Sequence, residues 1–263
     1  MHKLKSSMAS LFNVSLSEID VSILAGGLSH KSYCCRVSGA PYYIKEYNNL
    51  NNIYKVLNYI NKLTRYMCDR GIPASRVILY SPKFPNIVVH EFVEGEIHDG
   101  EISQVAAIAE LYSKVALVGK DHGRHLSKPE YLSTIQAVRD NLQASADTGV
   151  EVDETIHNGM LALADTVLSA LQKGMPDGAH FHIFVHDDFT EKNILLDGDV
   201  VKLLCDWDSC RLRMCSEHIA STATRFSTER PLDGVLQQHK LDIFLRTLSP
   251  VLLEYIVNIE EYG

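Results

Sequence analysis

In Val185-His186-Asp187-Asp188-Phe189-Thr190-Glu191-Lys192-Asn193-Ile194-Leu195-Leu196, an apolar strand feeds a loop dense in carboxylates and leaves it on a second apolar run. Five residues after Asp188 comes an amide, Asn193. Ile194-Leu195-Leu196 and Val200-Val201-Lys202-Leu203-Leu204 then flank Asp197-Gly198-Asp199, a strong tight-turn signal between two strands. Asp206-Trp207-Asp208 follows, with Asp206 thirteen residues past Asn193. A hairpin of this length returns Asn193 and Asp206 to the same end of two paired strands, where they converge with Asp188. Hard oxygen ligands of this kind suit Mg²⁺, which keeps several waters and takes its remaining ligands from phosphates. Asp188 is then free to accept a proton from a hydroxyl nucleophile.

Upstream, the first ninety residues read as strands with one helix. Val21-Ser22-Ile23-Leu24 ends in Ala25-Gly26-Gly27; Tyr33-Cys34-Cys35-Arg36-Val37 leads into the turn Ser38-Gly39-Ala40-Pro41 and then Tyr42-Tyr43-Ile44-Lys45. Such β-branched and aromatic runs between glycine turns are antiparallel hairpins. Leu50, Ile53, Leu57, Ile60, Leu63 and Met67 recur at three and four, which predicts one amphipathic helix stopped by Gly71-Ile72-Pro73. Asn86-Ile87-Val88-Val89-His90-Glu91-Phe92-Val93 is a further strand, left through Glu94-Gly95-Glu96. Helical patterns follow at 102–118, roughly 130–145, 154–172 and 235–259. These patterns predict an α+β chain with a small β-rich lobe, 1–93, and a larger mainly helical lobe, 94–263. A ligand is expected in the cleft between them.

The chain has 263 residues, enough to bury a core without a disulfide or zinc staple. With 46% hydrophobic and 22% charged residues it is neither intrinsically disordered nor collagen-like. No apolar run reaches ~18 residues, so no membrane span is expected. The six cysteines (34, 35, 68, 205, 210 and 215) without an apolar leader predict reduced thiols in a cytoplasmic protein. The net charge of −8 is uneven: residues 1–93 sum to +6 and residues 94–263 to −14. That asymmetry points to an anionic ligand for the first part and a cationic one for the second, or to no more than a solvated acidic surface on the second. No nucleic-acid partner is expected.

His186-x-Asp188-x₄-Asn193 with Asp206-Trp207-Asp208 closely resembles the aminoglycoside phosphotransferase and choline kinase superfamily, where the loop is usually H-G-D-x₄-N and the later motif D-W-E or D-W-D. Gly26-Gly27-Leu28-Ser29-His30-Lys31-Ser32-Tyr33 is similar to the phosphate loop of those kinases, with His30 in place of the usual Asn. Lys45 resembles the strand lysine that grips the α- and β-phosphates. Val89-His90-Glu91-Phe92-Val93 resembles the hinge strand, where backbone groups of Glu91 and Val93 would meet adenine. The resemblance spans about residues 20 to 220 and implies a protein-kinase-like two-lobed fold. It implies ATP- and Mg²⁺-dependent transfer of the γ-phosphoryl group to a hydroxyl of a small molecule: an aminoglycoside or other antibiotic, or a choline- or thiamine-like metabolite. In that plan Gly26, Gly27, Ser29 and Lys45 hold the triphosphate, Asn193 and Asp206 hold Mg²⁺, and Asp188 positions and deprotonates the acceptor.

Three features depart from the family pattern. The arginine of the protein-kinase H-R-D motif is absent and Asp187 stands there, which favours a small-molecule kinase. Helix 50–69 lacks the Glu that usually pairs with the lysine, offering Asn51, Asn52, Asn58 and Asn61, with Asp69 at its end. Either an Asn orients Lys45, or a carboxylate comes from elsewhere, or the protein is a catalytically silent nucleotide-binding module. The family's G-D-P-x-x-D segment is replaced by Arg213-Met214-Cys215-Ser216-Glu217-His218. A further alternative, a metal-dependent hydrolase, is raised by His180-x-His182-x₃-His186, although the ligand spacing is wrong for it. Asp187, Glu191 and Asp208, the carboxylates nearest Asp188 in sequence, are expected either to pair with the ammonium groups of a cationic acceptor or simply to attract them, the alternative being that they only solubilise the lobe.

Overall fold

Residues 19–47 form three consecutive antiparallel strands, β1 (Ile19–Gly26), β2 (His30–Val37) and β3 (Ala40–Tyr47). Val37 pairs with Ala40, so the β2–β3 turn has only two residues, Ser38 and Gly39, with φ of 48° and 87°. Both angles are positive, as the tightest hairpin turn requires. Ala40 and Pro41, expected in the turn, belong to β3, and Pro41 precedes the start of pairing with the next strand at Tyr42. In this computed structural model the described residues are 2–26, 30–48, 53–122, 124–125, 140, 181–228 and 235–254.

Helix α2 (Ile53–Cys68) follows the expected periodicity and leads to Gly71 at φ 73°. Two strands come next where one was expected: β4 (Val77–Ser81) and β5 (Phe84–Glu91). The five-stranded sheet runs β1-β2-β3-β5-β4. Its two faces separate along β3 by strand alternation. Tyr42 and Ile44 join Val37, Val89, Leu4 and Met8 in one apolar cluster, under the unanticipated helix α1 (His2–Phe12). Tyr43, Lys45 and Tyr47 take the opposite face.

That opposite face meets the second core, which joins α2 to α3 (Ile102–Lys120), α4 (Cys215–Phe226) and α5 (Gln238–Thr247). By length and composition α3 could cross a membrane, contrary to the sequence expectation, but Val105, Ile108, Leu111, Tyr112 and Val115 are buried in the interior. Gly119 lets α3 reach β8 (Phe181–Val185): a Cβ there would lie 1.8 Å from the Phe184 carbonyl oxygen. β8 pairs with β11 (Arg211–Met214) and with the short β7 (Arg124–His125). The expected hairpin is present as β9 (Ile194–Asp197) and β10 (Val200–Leu204), with Asp197 opposite Val200 and Gly198 at φ 57°. The short β6 (Glu96–Ile97) extends it. β11 and α4, where the family pattern is broken, carried no expected element.

The helix expected over 235–259 is interrupted. α5 ends at Thr247, Leu248 and Ser249 leave helical geometry, and residues 250–254 are helical again. Pro250 cannot donate to the preceding turn but suits the start of a new one. The helices expected near 130–145 and 154–172 lie outside the described residues. The segment between α2 and β4 is tied to β10: the Leu204 N–H donates to the Pro73 carbonyl at 2.6 Å, and the Ser75 N–H to the Leu204 carbonyl at 3.1 Å. These bonds fasten the sheet to the end of the hairpin that presents Asp206.

Candidate active site

Three segments converge at one end of the β9–β10 hairpin: the loop after β8, the 3₁₀ turn Glu191–Asn193, and the residues after β10. His186 joins the first and last. Its Nε2 lies 2.7 Å from the Cys205 carbonyl oxygen, an acceptor only, so Nε2 carries the proton. Burial holds the His186 pKa below the ordinary imidazole value, keeping the ring neutral. Trp207 and Phe189 pack edge-on against it, at 5.0 and 6.3 Å between centroids. Trp207 Nε1–H in turn donates to the Leu204 carbonyl at 2.7 Å. His186 thus orients the backbone at Cys205.

Asn193 links the loop to the hairpin. Its Nδ2 donates to the Asp188 backbone carbonyl at 2.9 Å and to Asp188 Oδ2 at 2.7 Å. Both partners are acceptors, which fixes the amide orientation and turns Oδ1 away from Asp188. Asn193 is buried while Asp188 is exposed. The neighbouring carboxylates are not available in the way expected. Asp187 forms ion pairs with Arg211 and, at 3.0 Å, with Arg213. Glu191 takes a two-pronged contact from Arg225 at 2.8 and 3.3 Å. Burial opposes the Glu191 charge, but that hydrogen bonding prevails and holds its carboxyl below the usual range. Asp208 is 3.5 Å from Lys45 and accepts from the Tyr47 hydroxyl at 3.2 Å. These internal partners correct the expectation that all three stand ready for an acceptor's ammonium groups.

Lys45 is buried at 4% exposure and contacts Asp206 as well as Asp208. Burial works against its charge, yet the surrounding Tyr47, Asp208 and Asp206 keep the ammonium pKa well above its ordinary value. Burial raises the Asp208 pKa, reinforced by its hydrogen bond with Asp206. It opposes ionisation of Asp206 too, but there the bonds from Asp208 and Lys45 win and the pKa falls. Asp206 sits in left-handed backbone geometry, φ 67° and ψ 46°. That costs a non-glycine residue on the order of 1–3 kcal/mol and persists only where the surroundings enforce it.

The ion-pair partners of Lys45 lie outside α2. α2 presents Ile60 and Thr64 to the small space behind Lys45. Asn58 is exposed, and the buried Asn61 Oδ1 has no hydrogen-bond partner, so neither supplies Lys45 with a ligand. Asn51 and Asn52 lie outside the described residues. The carboxylates come from the Asp206-Trp207-Asp208 turn. The contacts of Asp208 with Lys45 and Tyr47 were not read from the sequence; their only signal was Tyr47 two residues after Lys45, on the same strand face.

A cavity of about 400 Å³ opens between the sheet and the hairpin. Leu24, His30, Ser32 and Tyr43 roof it, with the Ser32 and Tyr43 hydroxyls 2.8 Å apart. Leu195 and Leu203 form its floor, and Glu91, Phe92, Val93 and Gly95 its inner edge. The Glu91 N–H already donates to the Arg76 carbonyl at 3.1 Å, so a ligand there could use only its carbonyl. A Cβ on Gly95 would come within 2.9 Å of Leu195 Cβ and of the Leu196 carbonyl oxygen, which explains the glycine where the chain leaves the edge. Asn193 and Asp206 close the far end. Gly26 ends β1 opposite Lys31; Gly27 and Ser29 lie outside the described residues.

Asn193 and Asp206 give two hard oxygen donors at one end of a cavity. That suits Mg²⁺, which uses one or two protein oxygens and completes its shell with water and phosphate. Among the described residues no three His, Cys, Asp or Glu side chains gather as a metal site; His180, the first member of the histidine cluster noted in the sequence, lies outside them.

The model of the phosphotransferase enzyme family matches residues 20–246. No curated protein matches the chain by sequence. Among solved structures, an aminoglycoside phosphotransferase in a ternary complex with AMP-PNP and hygromycin B is similar, with TM-score 0.67 and 14% identity over 98% of this chain and 88% of that one. Choline kinase from Cryptosporidium parvum gives 0.65 and 13% over 98% and 79%. Macrolide 2'-phosphotransferase from Brachybacterium faecium gives 0.61 and 9% over 96% and 86%. At such identities the likeness establishes the fold, which is the α+β protein-kinase-like fold of the phosphotransferases.

Proposed function

This chain belongs to the phosphotransferase enzyme family, and we propose that it transfers the γ-phosphoryl group of ATP to a hydroxyl of a small cationic molecule. The observation that carries the reading is the meeting of Asp188, Asn193 and Asp206 beside the cavity, with Lys45 held against Asp206. ATP would lie with its base between the Tyr43 roof and the Leu195 floor, near Glu91 and Val93, and its phosphates toward Lys45 and the loop of Gly26, Gly27 and Ser29. Mg²⁺, held by Asn193 and Asp206, would neutralise phosphate charge. Asp188, exposed and braced by Asn193, accepts the acceptor's hydroxyl proton while the new O–P bond forms and ADP departs. Most of the rate enhancement then comes from alignment and charge compensation.

The cationic acceptor is supported by the −14 charge of residues 94–263 and by the choline and aminoglycoside kinases among the structural neighbours. A cytoplasmic location is supported by six free thiols. The test is ATP consumption across aminoglycosides, other antibiotics, choline, ethanolamine, thiamine and sugars, with the phosphorylated product found by mass spectrometry. A phosphorylated amine-bearing alcohol is expected. A best substrate that is neutral or anionic would overturn the cationic assignment, and hydrolysis without transfer would overturn the kinase reading.

A further inference from the structure

We propose that Asp208, held by the Tyr47 hydroxyl, is the positioning residue for Lys45, taking the part for which α2 supplies no carboxylate and leaving Asp206 to the metal. The inference rests on the reading of Lys45 as the phosphate-binding lysine. A buried ammonium needs a compensating charge at all times, because an unpaired one loses its hydration without return. Lys45 touches two carboxylates, Asp206 and Asp208. If Asp206 turns to Mg²⁺, Asp208 is the remaining carboxylate within ion-pair reach among the described residues.

The surroundings separate the two aspartates. Asp206 lines both the large cavity and the small space behind Lys45, whereas Asp208 lines only the small space, together with Tyr47, Ile60 and Thr64. Asp208 is therefore turned away from the cavity's ligands and toward the lysine. It is fixed on both sides. Trp207, at 2% exposure, anchors its turn, and Tyr47 donates to its Oδ2 at 3.2 Å, leaving Oδ1 at 3.5 Å from the Lys45 nitrogen. Tyr47 is itself steadied by the His30 ring, 5.8 Å away between centroids. Lys45 and Tyr47 project from the same face of β3, so one strand supplies both the lysine and the hydroxyl that aims its partner.

The experiment is calorimetric binding of AMP-PNP with and without Mg²⁺ to the full chain and to Asp208→Asn, Lys45→Ala, Asp206→Asn and the Lys45→Ala/Asp208→Asn pair. Residues in direct contact couple non-additively. Asp208→Asn should weaken Mg²⁺–AMP-PNP about 10-fold, and the pair should bind within about twofold of Lys45→Ala alone. The tightening by Mg²⁺ should survive in Asp208→Asn and vanish in Asp206→Asn. Additive losses in the pair, or loss of the Mg²⁺ effect in Asp208→Asn, would overturn the assignment, the latter making Asp208 a metal ligand. Tyr47→Phe removes one hydroxyl with little risk to folding. It should weaken binding less than Asp208→Asn and have no effect in the Lys45→Ala background; an equal effect in both backgrounds also overturns it. Binding is measured without turnover, so a protein that shows this coupling yet phosphorylates nothing refutes the proposed reaction and leaves the lysine assignment standing. A parent that does not bind Mg²⁺–AMP-PNP refutes both.

Discussion

Replacing Asp188 by Asn tests the proposed chemistry with little disturbance of the site. The Asp188 carboxylate receives one described bond, from Asn193 Nδ2 at 2.7 Å, and the Asp188 backbone carbonyl receives another at 2.9 Å. An asparagine can present its own amide oxygen to Nδ2 and keep the first bond; the second does not depend on the side chain. Asn193 therefore stays in place, and so does the oxygen it offers to a metal. What is lost is a negative, proton-accepting group on an exposed residue next to the cavity. Loss of a general base costs about 10²–10⁴ in rate, which is about 3–5 kcal/mol of transition-state stabilisation. The assay is formation of phosphorylated product by mass spectrometry under saturating ATP, alongside calorimetric AMP-PNP affinity. Turnover should fall by that factor while nucleotide affinity stays within about twofold. A variant with turnover within a factor of a few of the parent would show that Asp188 is not the base.

Gly119→Ala should destabilise the protein by about 1–3 kcal/mol, as overpacking of a tight contact does, because the new Cβ meets the Phe184 backbone oxygen. A thermal melt should show a midpoint lower by several degrees, about 2–4 °C per kcal/mol in a chain of this size; an unchanged midpoint would show that α3 can shift freely. Burial lowers the pKa of His90 to about 3 and that of His218 to about 4, so each is neutral in the fold and protonates in the unfolded chain near 6.5. Their contribution is present above that pH and is lost as pH falls toward the folded values, at roughly 1.4 kcal/mol per pH unit for each. Urea midpoints should drop between pH 6.5 and 5, and His90→Gln should flatten the slope; a pH-independent midpoint would contradict it. Finally, the KM for a cationic acceptor should rise with ionic strength, since such attraction is screened over ~8 Å at physiological salt; a salt-independent KM would favour a neutral acceptor.

The parts legible in the sequence were those with local periodicity or a rigid spacing. The β9–β10 hairpin is written in Asp197-Gly198-Asp199, and Asn193 and Asp206 meet because a short hairpin permits little else. α2 and α3 are written in recurring apolar positions. β4 was hidden because Val77-Ile78-Leu79-Tyr80-Ser81 sits between a proline stop and a stronger strand, and only pairing with β5 distinguishes it from a connection. α1 was hidden because its apolar residues are few and matter only against the sheet face they cover. At the site, Arg211, Arg213 and Arg225 lie 24, 26 and 34 positions from the carboxylates they engage. No spacing rule connects residues so far apart; β8–β11 pairing and the placement of α4 bring them together.

Those long-range pairs change what the acidic loop means. Read as sequence, Asp187, Asp188 and Glu191 form one negative patch. In the fold, two of the three are bound to arginines, and these ion pairs tie the loop to β11 on one side and to α4 on the other. Such partly buried pairs add little net stability, because desolvation offsets much of the attraction, but they restrict where the loop can go. Asp188 lies between the two anchors, exposed, and is braced through Asn193. Of these three carboxylates it is the one with no described arginine partner. The same division of labour recurs at the lysine, where Asp208 faces the small space behind Lys45 and Asp206 lines the cavity. In both places one acid is engaged by a cationic side chain away from the cavity and another stands at or beside it, so the excess negative charge of residues 94–263 does not translate residue by residue into recognition. On the proposal of a cationic acceptor, its attraction would come from carboxylates farther from Asp188, acting through the summed field of residues 94–263.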